Sequence, residues 1–536
     1  MILILQIYTI NFGHLWKNYY LYDIINKDKS EELIMRKEKS IKNILTSIIP
    51  YFFLTALGFI RLRVMLDSLG EEIYALNQLF IQLFSYISLL EAGVGTLITQ
   101  LYYKHFVNKD KKRICEIYSY SVKMLKKISV FMLISGLVIS FALKLFTNNN
   151  LPLMYMQFVF VLYLFKSVIE YLMYAPRFVI MADQKSYKVN LSNNIFKILE
   201  MLLEIGLLLI YKNYIVILLV TIVVRYITYF VSNKIVYKEY PWLKKVESND
   251  KLKVKEMGAV MTHKIAGTAY SNTDILLASM FLKPIQVVIY SSYNYIVKFI
   301  SDIVYMVGSA ITASMGNVLY KDSKDNQHLI FEKTNSIFLF LAMFLSVALY
   351  VSTNKFVELW IGVDKLLPAI TFLMMILTLF FQIASRPFLI IRDSKALYNE
   401  TKYIAIAEAI INLGLSFILV QSYGLFGLLI ATIISSLLTT VICYPVYIYK
   451  KVYDKKYFNY FLKLGFCALV TILSCVVLNK VNIISSASNY ISWFLYSVLY
   501  CMIIFIIVFG INMLISKDFR ETMKEVWQYV VRSIKK

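Results

Sequence analysis

Charge is scarce in this chain, and that scarcity sets its class. Of 536 residues only 17% are charged and 59% are hydrophobic, with a mean hydropathy of +0.64. A soluble protein of this length would be more polar, so long apolar runs must lie in lipid. The charge that is present is unbalanced, 56 Lys and Arg against 33 Asp and Glu. A basic excess points to nucleic acid when it covers a soluble face. Here it sits in short loops between apolar runs, so no nucleic-acid partner is expected. Cysteine is sparse too. Cys115, Cys443, Cys467, Cys475 and Cys501 form no CxxC pair and no ligand spacing with the four histidines. Neither a disulfide nor a metal site is expected. No GxxxxGK[ST] loop occurs, which excludes ATP hydrolysis through that motif. The outer loops are all short, without the acidic external domain of a membrane polymerase or glycosyltransferase, so the chain is not expected to be an enzyme. No filter segment is repeated, which argues against a channel.

The apolar runs themselves predict an all-α polytopic membrane protein. Fourteen spans are read at 44–66, 72–98, 120–146, 152–180, 188–210, 214–235, 257–281, 285–318, 329–352, 366–391, 401–420, 424–448, 459–478 and 491–515. Residues 1–10 are apolar but lack a basic n-region and a small-residue cleavage site, so they do not read as a signal peptide. Residues 1–34 are expected to be dispensable, with Met35 as the effective start.

Loop charge gives the orientation. With the N-terminus inside, 38 of the 56 Lys and Arg fall in cytoplasmic segments. Only Lys212, Lys283, Lys355, Lys365 and Lys480 fall outside. By the positive-inside rule both termini are expected in the cytoplasm, and the expected location is the cytoplasmic membrane. Lys244, Lys245, Lys251, Lys253 and Lys255 are placed to touch anionic membrane lipid.

An internal repeat is present. At an offset of 210 residues, Arg177 to Lys185 lies against Pro387 to Lys395, with Phe, Ile, Asp and Lys coinciding, and Val236-Tyr237 falls on Val446-Tyr447. Matching loops of matching sidedness imply two six-helix bundles of parallel topology. The expected organisation is an extension at 1–40, a bundle at 41–237, a basic linker at 238–256, a second bundle at 257–450, two further spans at 451–515 and a basic tail at 516–536.

Function is expected where the spans are least apolar. At about 100° per residue, His263, Lys264, Gly267, Tyr270, Ser271 and Asp274 fall within roughly 60° of one line on the seventh span. Ser291, Asn294, Tyr295, Lys298, Asp302 and Tyr305 share a face of the eighth. A charge facing lipid at mid-bilayer costs at least ~2.5–3.5 kcal/mol, so these stripes face protein or a wet cavity. Further charges at membrane depth are Arg61, Arg63, Glu91, Lys166, Glu170, Lys197, Glu200, Glu204, Arg225, Arg386 and Glu408. Lys166/Glu170 and Lys298/Asp302 have the spacing of intrahelical ion pairs. Lys298, Lys264, Arg61 and Arg63 are the expected cavity cations. Asp274, Asp302 and Glu91 are the expected carboxylates for ion coupling. His263, Tyr270, Asn294, Tyr295 and Tyr305 are the expected polar and aromatic lining.

Four stretches carry a resemblance. They are Asp67-Ser68-Leu69-Gly70-Glu71-Glu72-Ile73-Tyr74-Ala75-Leu76, Leu90-Glu91-Ala92-Gly93-Val94-Gly95, His263 to Asp274 with Tyr290-Ser291-Ser292-Tyr293 after it, and Tyr423-Gly424-Leu425-Phe426-Gly427. With these the chain resembles the Wzx-type polysaccharide repeat-unit flippases, a branch of the MATE/MOP superfamily. The resemblance runs from about Lys39 to the end of the twelfth span, more loosely beyond. It implies a V-shaped pair of six-helix bundles plus two C-terminal helices. It implies an undecaprenyl-pyrophosphate-linked glycan as substrate, no cofactor, and an H+ or Na+ gradient as drive. Implied partners are a polysaccharide polymerase and a chain-length regulator. The alternatives are a murein lipid II flippase, a MATE-type small-molecule exporter, or a non-transporting polymerase or scaffold of envelope assembly.

Overall fold

A computed structural model describes the backbone of residues 27–91, 94–246, 258–481 and 483–534, and most side chains from residue 46 onward. Most of the expected linker, with Lys251, Lys253 and Lys255, lies outside the described residues, as do residues 1–26 and the Glu91 side chain.

The architecture is all-α, as the apolar runs demand. In order the helices are α1 Lys27–Ile87, α2 Val94–Val107, α3 Lys111–Phe141, α4 Leu153–Met173, α5 Ala175–Ala182, α6 Tyr187–Tyr211, α7 Tyr214–Glu239, α8 Gly258–Phe281, α9 Pro284–Lys321, α10 Lys324–Ile361, α11 Ala369–Ser394, α12 Tyr398–Ser436, α13 Phe458–Lys480, α14 Tyr490–Ile515 and α15 Lys517–Ile534. A run of π-helical and α-helical turns carries α12 on to Tyr453. Among the described residues ten helical stretches are long and apolar enough to cross a membrane. Two of them, Thr46–Ile87 and Tyr398–Tyr453, each take in two expected spans. The two expected spans missing from that set are α6, which carries Lys197, Glu200 and Glu204, and α8, which carries Lys264, Asn272 and Asp274.

Glycine makes the corners. Gly70 sits inside α1 at φ 79, ψ 177 and separates the first two spans. Gly424 sits inside α12 at φ 57, ψ −136 and separates the eleventh from the twelfth. Three residues on, a Cβ at Gly427 would stand 2.2 Å from the Leu419 carbonyl oxygen, so this corner closes only without a side chain. Only glycine occupies the Gly70 region readily. Gly70→Ala is therefore expected to cost about 1–3 kcal/mol, read as a lower thermal unfolding temperature in detergent. Gly206→Ala is the control: its Cβ would meet nothing within 4 Å, and alanine is the better helix former. Equal unfolding temperatures for the two variants would show that the corner tolerates a side chain.

Contacts divide the chain into two compact units that meet at Val288/Ile289. The N-terminal unit holds α1 to α8. Its core stacks Phe84 on Phe160 and Tyr163, with ring centroids 5.1 and 5.0 Å apart. A second cluster joins Tyr102, Tyr118, Phe178, Val179, Val236 and Tyr240. The expected fourth span stops at Met173 and restarts as α5, with Pro176 in the first turn, where its missing N–H costs nothing.

The C-terminal unit holds α9 from Ile289 to the end of α15. Its core is built on Phe331, Phe338, Phe372, Phe380 and Phe388, all fully buried. The basic tail is not loose. As α15 it buries Phe519 against Phe340 and Phe509, at centroid distances of 5.3 and 5.6 Å. Lys333 pairs with Glu525 at 2.7 Å and Lys463 with Asp518 at 3.2 Å.

Candidate functional site

In the N-terminal unit, helical spacing places Lys197, Glu200 and Glu204 on one side of α6. That side receives cations from three other helices. Lys166 of α4 reaches Glu200 at 2.7 Å, and Arg225 of α7 reaches the same carboxylate at 3.3 Å. Arg61 of α1 pairs with Glu204 at 2.8 Å. The Glu200 side chain is only 9% exposed. Pairing is what makes such burial tolerable: each ion alone would cost several kcal/mol. Elsewhere in the unit Arg177 donates to Asn193 Oδ1 at 2.8 Å and Ser232 Oγ at 3.2 Å, and lies 4.0 Å from the Tyr229 ring centroid.

This geometry changes two expectations. Lys166 does not pair with Glu170 one turn along its own helix; it crosses to Glu200, because α6 offers a carboxylate in a more buried position. Arg61, expected as a cavity cation, is held by Glu204. Arg63 is half exposed and lies 3.5 Å from Asp67, one turn on.

The α8 stripe is exposed in part. Lys264, Gly267 and Ser271 are exposed, His263 and Tyr270 are half-buried, and Ala259, Ala266, Thr273 and Leu277 on the other side are buried. The buried side clasps α1. Tyr86 Oη lies 3.1 Å from Thr273 Oγ1 and 3.2 Å from the Ala269 carbonyl, and Asn272 Nδ2 donates to Ser85 Oγ at 3.0 Å. The Asn148 N–H donates to the Ser279 carbonyl at 2.8 Å. Asp274 is buried beside this clasp.

In the C-terminal unit the α9 stripe is likewise exposed in part, with Ser291 buried. Lys298, Tyr305 and Ser309 are exposed, whereas Val297, Val304, Gly308 and Ile311 are buried. Asp302, Asn294 and Tyr295 are half-buried. Lys298 makes no ion pair among the described residues. Behind the stripe, Tyr293 donates to Asn354 Oδ1 at 2.6 Å. On α11, Arg392 pairs with Asp393 at 2.7 Å and donates to Tyr444 at 3.3 Å. On α12, Glu408 accepts from Thr440 at 2.8 Å, and buried Asn412 donates to Thr432 at 3.1 Å. Among the described residues no group of His, Cys, Asp and Glu could hold a metal ion.

No protein-family model and no curated protein matches this sequence. Solved structures do. The fold is the MATE/MOP fold, and the chain is a multi-pass, all-α membrane protein. Lipid II flippase MurJ, in its inward closed conformation, superposes with a TM-score of 0.66 at 15% identity, covering 88% of this chain and 99% of MurJ. An outward-facing multidrug resistance MATE transporter superposes with a TM-score of 0.50 at 13% identity, covering 83% and 97%. At such identities the likeness defines the fold.

Proposed function

We propose that this protein is a flippase for undecaprenyl-pyrophosphate-linked oligosaccharide repeat units, moving them across the cytoplasmic membrane for surface polysaccharide synthesis. One observation carries the reading: Lys298 is exposed within a helical stretch long and apolar enough to cross a membrane, on a face shared with Asn294, Tyr295 and Tyr305. An exposed lysine beside amides and tyrosines suits a diphosphate with attached sugars. The ammonium meets phosphate oxygens, the amide meets hydroxyls, and aromatic faces cover sugar rings. Lys264 on α8 offers a second such cation. A small-molecule exporter would call for a more apolar lining, and a scaffold would have no use for exposed charge at this depth. The polyprenyl tail stays in lipid while the headgroup crosses by alternating access. Asp274 and Asp302 are the carboxylates proposed to couple the cycle to an H+ or Na+ gradient.

A second reading is lipid II transport. It is favoured by the superposition on MurJ, which takes in nearly all of that flippase. Proteoliposomes separate the two. Transport of a lipid-linked repeat unit, but not lipid II, is expected under an imposed gradient, with Asp274→Asn losing gradient dependence while still inserting. Transport of lipid II alone would establish the second reading. Transport of neither, with efflux of an organic cation, would replace both with drug export.

A further inference from the structure

Arg386 lies in α11, immediately before Pro387, and is 8% exposed. Its guanidinium carbon stands 4.1 Å from the centre of the Tyr305 ring on α9. Its Nε has no hydrogen-bond partner, and among the described residues no carboxylate pairs with it. Half-buried arginines elsewhere have polar partners: Arg61 pairs with Glu204, Arg225 with Glu200 and Arg392 with Asp393, and Arg177, which also lies over an aromatic ring, donates to Asn193 and Ser232. The fold has also made room for this arrangement. A Cβ at Gly308, three residues beyond Tyr305, would stand 2.7 Å from Arg386 Nε. So α9 supplies a notch and an aromatic cover, and α11 supplies the cation.

Structure alone is a poor reason for this arrangement. Burying a guanidinium without a carboxylate is unfavourable, and an aromatic face offsets only part of that cost. The cover itself is not buried: Tyr305 is 57% exposed. It shares the α9 face with Lys298, seven residues away, or about 10 Å along the helix axis.

We propose that Arg386, Gly308 and Tyr305 form a closed subsite for a phosphate group, opened when the Tyr305 ring swings aside and phosphate oxygens take its place on the guanidinium. The planar fork of arginine suits two oxygens at once, which an ammonium cannot match. Lys298, already exposed, meets the headgroup first, and Arg386 takes it second. This site rests on the lipid-diphosphate reading of the function and names where part of the headgroup is held.

The test is equilibrium binding to the purified full-length protein in nanodiscs, with undecaprenyl diphosphate, inorganic pyrophosphate and undecaprenol as probes. Arg386→Gln is expected to weaken undecaprenyl diphosphate binding about tenfold or more and to leave undecaprenol binding unchanged. Arg386→Lys should recover little of the loss. Tyr305→Ala removes the competing ring and should tighten diphosphate binding several-fold, an effect in the opposite direction that a misfolded protein cannot mimic. Pyrophosphate binding with the same Arg386 dependence would mean that the headgroup suffices; dependence seen only with the lipid would mean that the tail delivers it. Unchanged diphosphate binding in a folded Arg386→Gln protein would overturn the subsite alone, as would weaker binding in Tyr305→Ala. A wild-type protein that binds neither diphosphate would remove the functional reading, and this site with it.

Discussion

Glu200→Ala is expected to destabilise the protein by about 3–5 kcal/mol, because it strands two largely buried cations at once. Lys166 and Arg225 both end on that carboxylate. They come from different helices, so the loss would loosen the tie of α4 and α7 to α6. Thermal unfolding in detergent reads the effect directly. Replacing the whole set with apolar residues, Lys166→Met with Glu200→Leu and Arg225→Met, should restore most of the stability, since no charge is then left unpaired. A Glu200→Ala protein within about 1 kcal/mol of the wild type, the range of a solvated ion pair, would show instead that water reaches the cluster. The three-way pair would then belong to a hydrated pathway rather than to the scaffold.

Lys298→Ala is expected to abolish transport while leaving the fold intact. The side chain is exposed and no ion pair is seen on it among the described residues, so its removal leaves no buried partner stranded. Lys298→Arg should keep part of the activity, because it keeps the charge. Asp302→Ala should not rescue Lys298→Ala, because under the proposed function the loss is of a group that meets substrate, not of one half of a structural pair. Surface polysaccharide in the native cell and flipping in proteoliposomes are the two readouts, each compared at equal protein level. Normal polysaccharide from Lys298→Ala would take this lysine out of the mechanism. Rescue in the double variant would make the two residues a structural pair after all.

The two predictions separate charges by what surrounds them, and that distinction was only partly legible beforehand. Lys166 and Glu170, four residues apart, look like neighbours that neutralise each other. Local spacing proposes that pair, but a carboxylate on another helix competes for the lysine, and burial decides. The spacing of Lys197, Glu200 and Glu204 already showed one charged side to α6; what faced it came from α1, α4 and α7. Arg386 is the sharper case. In sequence it is one more charge before a proline. Its meaning depends on Tyr305 and Gly308, about eighty residues away, and no periodicity connects them.

Other features needed no tertiary information. Apolar run length sets where helices lie, because a backbone in lipid must satisfy its own hydrogen bonds. Helical periodicity proposed the faces of α8 and α9; Lys264, Ser271, Lys298 and Tyr305 are exposed on them, whereas Asp274 and Ser291 are buried. The Tyr423 to Gly427 stretch could be noticed as a motif, and φ 57 at Gly424 explains why it holds glycine. Sequence alone thus determined the all-α membrane class, the helix positions and the polar stripes, because each follows from short-range geometry and from the cost of polarity in lipid. Only the tertiary structure decided which charges are spent on each other and which stay available, because ion pairing depends on through-space distance and burial, to which separation along the chain is no guide.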